Sequence, residues 1–215
     1  AWLVPLLLFP IFGGLFYLIF GGRRLSRLEQ KKMSAIGRQV IAQMGKDGDT
    51  LVTMKEESMD AYLQSRYIER YAYSGVCRNT YSEYLPLGEV KFQRLTEELE
   101  KARHYIFLEY FIIQEGIMWN TILEILERKA AQGVDVRVIY DDMGCLTTLP
   151  KNYHQQLEEK GIQCCVFNPF VPVLSSRFNN RDHRKIAVID GYVGFTGGIN
   201  LADEYINAYP KHGHW

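Results

Sequence analysis

His183, Lys185 and Asp190 stand in the run Asp182-His183-Arg184-Lys185-Ile186-Ala187-Val188-Ile189-Asp190, and Gly197-Gly198-Ile199-Asn200 follows. The pattern is His-x-Lys-x4-Asp-x6-Gly-Gly-x-Asn. Imidazole serves as a nucleophile or proton carrier near neutral pH. Strand alternation puts Lys185 on the same face as His183, where its ammonium can hold a phosphate oxygen. Gly197 and Gly198 would let the backbone approach a ligand closely, and Asn200 would add an amide donor. Lys185 and Asn200 would then stabilise a pentavalent phosphorus without a metal, and no cofactor is called for. Asp190 completes the motif. Alternation sends it to the opposite face, and Asp190-Gly191 ends the strand in a turn, so its expected role is structural. The competing reading is a buried strand, Ile186 to Ile189, between solvated charges and a turn. Ordinary residue usage gives the full pattern by chance in on the order of one in a million chains of this length.

Other side chains have weaker claims. Glu109 interrupts an apolar run, where a lone carboxylate is costly unless paired. It either orients a catalytic group or pairs with an arginine. Glu204, four residues after Asn200, is expected to fold back and hydrogen-bond the non-attacking ring nitrogen of His183. Asp141 and Asp142 end a strand, either at a ligand-binding edge or in a turn. His212 and His214 flank Gly213 without a metal-site spacing.

The elements that must position these residues alternate. Residues 90–104 read as a helix, 105–113 as a buried strand, 119–132 as a helix, 134–140 as a strand, 152–160 as a helix and 162–167 as a strand. Strands at 184–189 and 192–196 carry the motif. The order predicts an α/β fold with a mixed sheet flanked by helices. Upstream, residues 23–44 and the Tyr-rich stretch 51–73 read as helices, with a turn at 45–49 between them and an irregular segment at 74–88. The tyrosines of that stretch are expected to pack.

Trp2 to Phe20 contains no charge. About 22 residues at 1.5 Å rise give roughly 33 Å, so residues 1–22 are expected to form a transmembrane helix. Arg23, Arg24 and Arg27 follow it and place the rest of the chain at the cytoplasmic face of the cell membrane. The balance of 25 basic and 25 acidic residues gives no field that would favour nucleic acid. Cys77, Cys145, Cys164 and Cys165 form no zinc spacing, and neighbours Cys164 and Cys165 would face opposite ways in a strand, so free thiols are expected.

The wording Asn179-Asn180-Arg181-Asp182-His183-Arg184-Lys185, then Gly197 to Tyr205, resembles the phospholipase D superfamily, and the bacterial cardiolipin synthases in particular. Phe107-Leu108-Glu109-Tyr110-Phe111 and Gly133 to Asp142 share the resemblance. It implies a transmembrane segment (1–22), a juxtamembrane region (23–88) and one phospholipase D-like catalytic half-domain (89–215, motif core 177–204). It implies a phosphatidyltransferase acting on phosphatidylglycerol through a phosphohistidine at His183. A hydrolase using water, or an inactive fragment, are the alternatives. Two-motif members of the superfamily take their proton donor from a second His-x-Lys. This chain carries no second copy, so the donor is expected from a missing C-terminal half or from a homodimer partner.

Overall fold

Alternation builds the sheet. Along Tyr105–Tyr110 (β1) every second side chain is buried, and Lys185–Ile189 (β4) repeats the pattern. The structure, a computed structural model, describes residues 3–20, 27–43, 48–170, 180–211 and 213–215. The expected segments at 23–26, 44–47 and 171–179, and His212, lie outside the described residues, as do residues 1–2 and 21–22.

The remaining elements of the sheet domain are Gly88–Lys101 (α6), Ile117–Ala131 (α7), Asp135–Asp141 (β2), Asp142–Cys145 (α8), Tyr153–Glu159 (α9), Gln163–Phe167 (β3) and Val193–Thr196 (β5). A 3-10 turn follows at Asp203–Ile206. Strand order is β3-β2-β1-β4-β5. β1, β2 and β3 run parallel, β4 runs antiparallel to β1, and β5 runs antiparallel to β4. The mixed α/β sheet expected from the sequence is present.

One face of the sheet is dry. Ile106, Leu108, Val136, Val138, Ala187 and Ile189 pack there against Leu95 and Leu99 of α6 and Trp119, Ile122 and Leu126 of α7. Burying each aliphatic side chain of this size stabilises the fold by about 1.5–3 kcal/mol. Alternation places Phe107, Ile139, Ile186 and Val188 on the other face, where they are only partly buried. Cys164 packs on the core while its neighbour Cys165 is exposed, as alternation requires, and all four cysteines are free.

The chain divides into two compact units, Ala1–Gly22 with Tyr84–Trp215, and Arg23–Glu83. Within the second, Arg27–Gln43 (α3), Gly48–Glu57 (α4) and Met59–Ala72 (α5) are helical. The single helix expected over 51–73 is broken at Ser58, whose backbone is extended and whose hydroxyl accepts from Ala61 N to cap α5. Tyr67, Tyr71 and Tyr73 are exposed, although the Tyr67 and Tyr71 rings lie 4.7 Å apart, and Tyr62 is half-buried.

The N-terminal apolar stretch corrects an expectation. It forms two helices, Leu3–Leu8 (α1) and Pro10–Phe20 (α2), with a bend at Phe9. Among the described residues no helix is long and apolar enough to cross a membrane. Pro10 has no N–H to return to the preceding turn and instead opens a new helix at its first position. α1 and α2 fold onto each other at Gly13, where an added Cβ would lie 2.4 Å from the Pro5 carbonyl oxygen. The 11 residues of α2 rise about 17 Å, against an apolar bilayer core of roughly 30 Å.

Candidate active site

The site forms where β1 ends. After Tyr110 the chain continues as Phe111-Ile112-Ile113, and several contacts fix this tail. Ile112 N donates to Asn200 Oδ1 at 3.0 Å, Ile113 N donates to Cys145 Sγ at 3.2 Å, and Thr148 Oγ1 donates to the Ile113 carbonyl at 2.7 Å. Gly144 sits so close that a Cβ would lie 2.0 Å from the Phe111 carbonyl oxygen. Phe111 is therefore held firmly, and it lies between the two central groups of the motif. Its ring centroid is 4.8 Å from that of His183, and the Lys185 ammonium lies 5.2 Å from it.

His183 precedes β4 and is exposed, and its ring makes no hydrogen bond among the described residues. Lys185 opens β4 on the dry face and is 3% exposed. Its Nζ donates to the His183 carbonyl at 2.7 Å, which fixes the backbone of the histidine. Burial lowers the Lys185 ammonium pKa, and the charge of Asp182 works in the other direction.

The strap carrying His183 is anchored from β2. Asp141 is fully buried and accepts from Asp182 N at 2.9 Å, from Arg181 at 3.1 Å, and from Met143 N and Gly144 N. Of the two readings the sequence left open for Asp141, it takes the turn, and it also holds the motif in place. Nothing in the sequence links residue 141 to 182; only the sheet brings them together.

Asp190 sits away from His183. Its carboxylate accepts from Arg103 N, His104 N and Tyr105 N, each at 2.8 Å, and fixes the entry to β1. Desolvation would raise its pKa, but the backbone donors of Tyr105, Arg103 and His104 together outweigh it and hold it below the ordinary range.

Asn200 is buried, and both ends of its amide are engaged. Oδ1 accepts from Ile112 N, and Nδ2 donates to the Tyr205 hydroxyl at 2.8 Å. One of the two amide N–H donors is thus used within the protein. Gly197 and Gly198 are exposed with open space where a Cβ would be, so no described neighbour needs them to be glycine. Glu204 does not reach His183. The 3-10 turn carries it to Lys211, whose Nζ lies 2.5 Å from Oε2, and the expected bond to the imidazole is not made.

Of the two readings the sequence left open, Glu109 takes the pairing with an arginine. On the less covered face it touches Arg184, which also binds Asp182 through Nε at 2.9 Å and a terminal nitrogen at 3.1 Å. Burial, a hydrogen bond that its protonated carboxyl donates to Asp182, and the Asp182 charge together raise Glu109 to about 7, although Arg184 opposes them. Asp182 is lowered to about 2, chiefly by its bond to Arg184. Arg184 is committed to Asp182 by two bonds, so the carboxyl pair shares one proton up to near-neutral pH.

With this geometry in hand, the family described as cardiolipin synthase, PLD-like domain, matches residues 95–208. The chain belongs to that family. The match runs from the middle of α6 through the 3-10 turn. An uncharacterized protein of Streptococcus mutans is 45% identical over all of this chain and 47% of its own length. A cardiolipin synthase of a Geobacillus species is 39% identical over all of this chain and 43% of its own length. The chain thus spans less than half the length of these relatives. Among solved structures, NucT from Helicobacter pylori aligns with a TM-score of 0.42 and 18% identity over 57% of this chain and 74% of that one. Within this cardiolipin synthase-family domain, Phe111 and Tyr205 touch residues of the motif in a way that sequence reading missed. Phe111 and Asp141 are tied to the motif by contacts distant in sequence, and Tyr205 by a bond to Asn200 five residues away.

Proposed function

We propose that the domain performs phosphatidyl transfer, joining two phosphatidylglycerol molecules into cardiolipin with release of glycerol. The observation that carries this is an exposed imidazole, His183, held over Phe111 beside the buried ammonium of Lys185. A family shared with cardiolipin synthases supports the substrate class. In the first step a ring nitrogen of His183 attacks phosphorus while Lys185 steadies a non-bridging oxygen. The bond to the headgroup glycerol breaks, and glycerol leaves with a proton. In the second step a hydroxyl of another phosphatidylglycerol attacks the phosphohistidine, loses its proton and releases His183. Asp190 and Asn200 hold the backbone around these groups. Gly197 and Gly198 leave room for the headgroup. No metal or cofactor enters this scheme.

A proton donor for the leaving glycerol must come from a second His-x-Lys half, either in a C-terminal continuation or in a second copy of the chain. The partly buried face bearing Phe107, Ile139, Ile186 and Val188 supports such a docking surface. The uncharged α1–α2 pair, with Leu7, Ile11 and Leu18 each more than three-quarters exposed, supports a lipid-facing setting at a membrane surface.

The test is incubation with phosphatidylglycerol vesicles, with and without a His183→Ala control. Cardiolipin and glycerol are expected, with a phosphorylated species that depends on His183. Phosphatidic acid instead would indicate hydrolysis. No product and no phosphohistidine would overturn the reading.

A further inference from the structure

Lys91, Lys129 and Lys185 are all at least nine-tenths buried. Two of them have acceptors. Lys129 Nζ donates to the Glu100 carbonyl at 2.5 Å and the Ala102 carbonyl at 3.1 Å, and Lys185 donates to His183. Lys91, 6% exposed on the first turn of α6, has none among the described residues. The Tyr110 ring lies 5.4 Å from its Nζ. A buried ammonium with no acceptor costs free energy, and a ring face offsets only part of that.

The position of Lys91 gives that cost a use. Tyr110 pairs in register with Lys185, and both side chains point to the dry face. Side chains paired this way stand about 4.5–5.5 Å apart at Cβ, so Lys91 lies over the ring next to Lys185. The first turn of α6 is also pinned to the loop that carries Asn200. Gly88 abuts the Tyr205 carbonyl, and Asn207 donates to Glu89 at 2.8 Å. Burial lowers Lys91 to about 8, and the neighbouring charge that adds to this is that of Lys185. Two ammonium groups thus converge where no described carboxylate answers Lys91.

We propose that Lys91 is an anion-binding residue of this site, donating from Nζ to a phosphodiester oxygen of the ligand that Lys185 also holds. The inference rests on the phosphodiester reading of the His183 site. A second ammonium would favour the pentavalent species over the bound diester, since the former carries one more negative charge.

The experiment titrates the chain, Lys91→Met and Lys185→Met with glycerophosphoglycerol, the deacylated headgroup diester, and separately with inorganic phosphate. Binding is read by calorimetry and stability by thermal melting. Without ligand, Lys91→Met is expected to melt no lower than the wild type, because an unpaired buried charge has gone. Its affinity for the diester is expected to fall about tenfold or more, the loss of one charged hydrogen bond. Diester binding equal to wild type in Lys91→Met but lost in Lys185→Met would overturn the role of Lys91 and leave the site intact. A loss confined to inorganic phosphate would overturn the assignment to a diester. No binding by the wild type would overturn the site reading itself. Should Lys91→Met fail to fold, the Lys91 Nζ resonance of the wild type is followed through the same titration. It must move with the binding isotherm, and a resonance that stays put refutes the proposal.

Discussion

Replacing Asp190 separates support from chemistry. Its carboxylate accepts three backbone N–H groups at 2.8 Å, all from the turn that opens β1. A hydrogen bond to a charged group contributes about 1.5–3 kcal/mol when shielded. These donors are partly solvated, so about 1 kcal/mol each is reasonable, or roughly 3 kcal/mol in all. Asp190 also has a φ of 52°, and alanine in that left-handed region costs about 1 kcal/mol more. At 2–4 °C per kcal/mol for a domain of this size, Asp190→Ala should lower the melting temperature by roughly 8–16 °C. Asp190→Asn keeps one acceptor oxygen and tolerates the backbone, so it should fall between. Because the folded pKa is depressed, the contribution is present above the ordinary value of 3.8 and is lost as pH falls below it. The melting curves of wild type and Asp190→Ala should therefore draw closer in acid, leaving the backbone cost of alanine. Differential scanning calorimetry from pH 3 to 7 checks both points. A melting temperature within about 1 °C of wild type, together with loss of phosphohistidine, would refute the structural assignment.

Asn200→Asp keeps the acceptor for Ile112 N and can accept from Tyr205, so its melting temperature should change little, whereas Asn200→Ala should lose about 2 kcal/mol or more by leaving that N–H unpaired; urea titration separates the two. Gly88→Ala drives a Cβ to within 1.6 Å of the Tyr205 carbonyl oxygen, and is expected to cost about 1–3 kcal/mol as α6 is pushed off the 3-10 turn. Glu109 has a raised folded pKa, about 7, so the folded state binds its proton more tightly and stability falls as pH rises from about 4.5 through 7. Glu109→Gln should flatten that fall, which melting at pH 5 and pH 8 would show.

The sheet was legible because alternation is local. β1, β3, β4 and β5 each lie within the expected runs, shortened by one to three residues at an end, and β2 is shifted by one residue toward the C-terminus. The motif was legible because its spacing is short. What could not be read depended on contacts between distant segments. Glu204 was expected to turn toward His183, but its backbone enters a 3-10 turn facing Lys211. Asn200 has an amide that looks free in the sequence, yet Ile112 and Tyr205 occupy it. Lys91 reads as an ordinary charge near a helix start, and only the sheet beneath it makes it buried. The N-terminal stretch failed differently. Its composition suited a bilayer span, but the local effect of Pro10 outweighed it.

The strand order carries a consequence for synthesis. β1 lies at the centre of the sheet, but its neighbour β4 is made only after α7, β2, α8, α9 and β3. As the chain leaves the ribosome, β1, β2 and β3 can pair as a parallel unit while one flank of β1 stays open. That flank has the apolar sequence Tyr105 to Tyr110 and unpaired backbone groups, which invites association between nascent chains. His183 and Lys185 arrive with the strand that closes this edge. His183, the proposed nucleophile, therefore becomes ordered in the same event that removes the hazard, and a chain stalled before residue 185 would lack it and be adhesive.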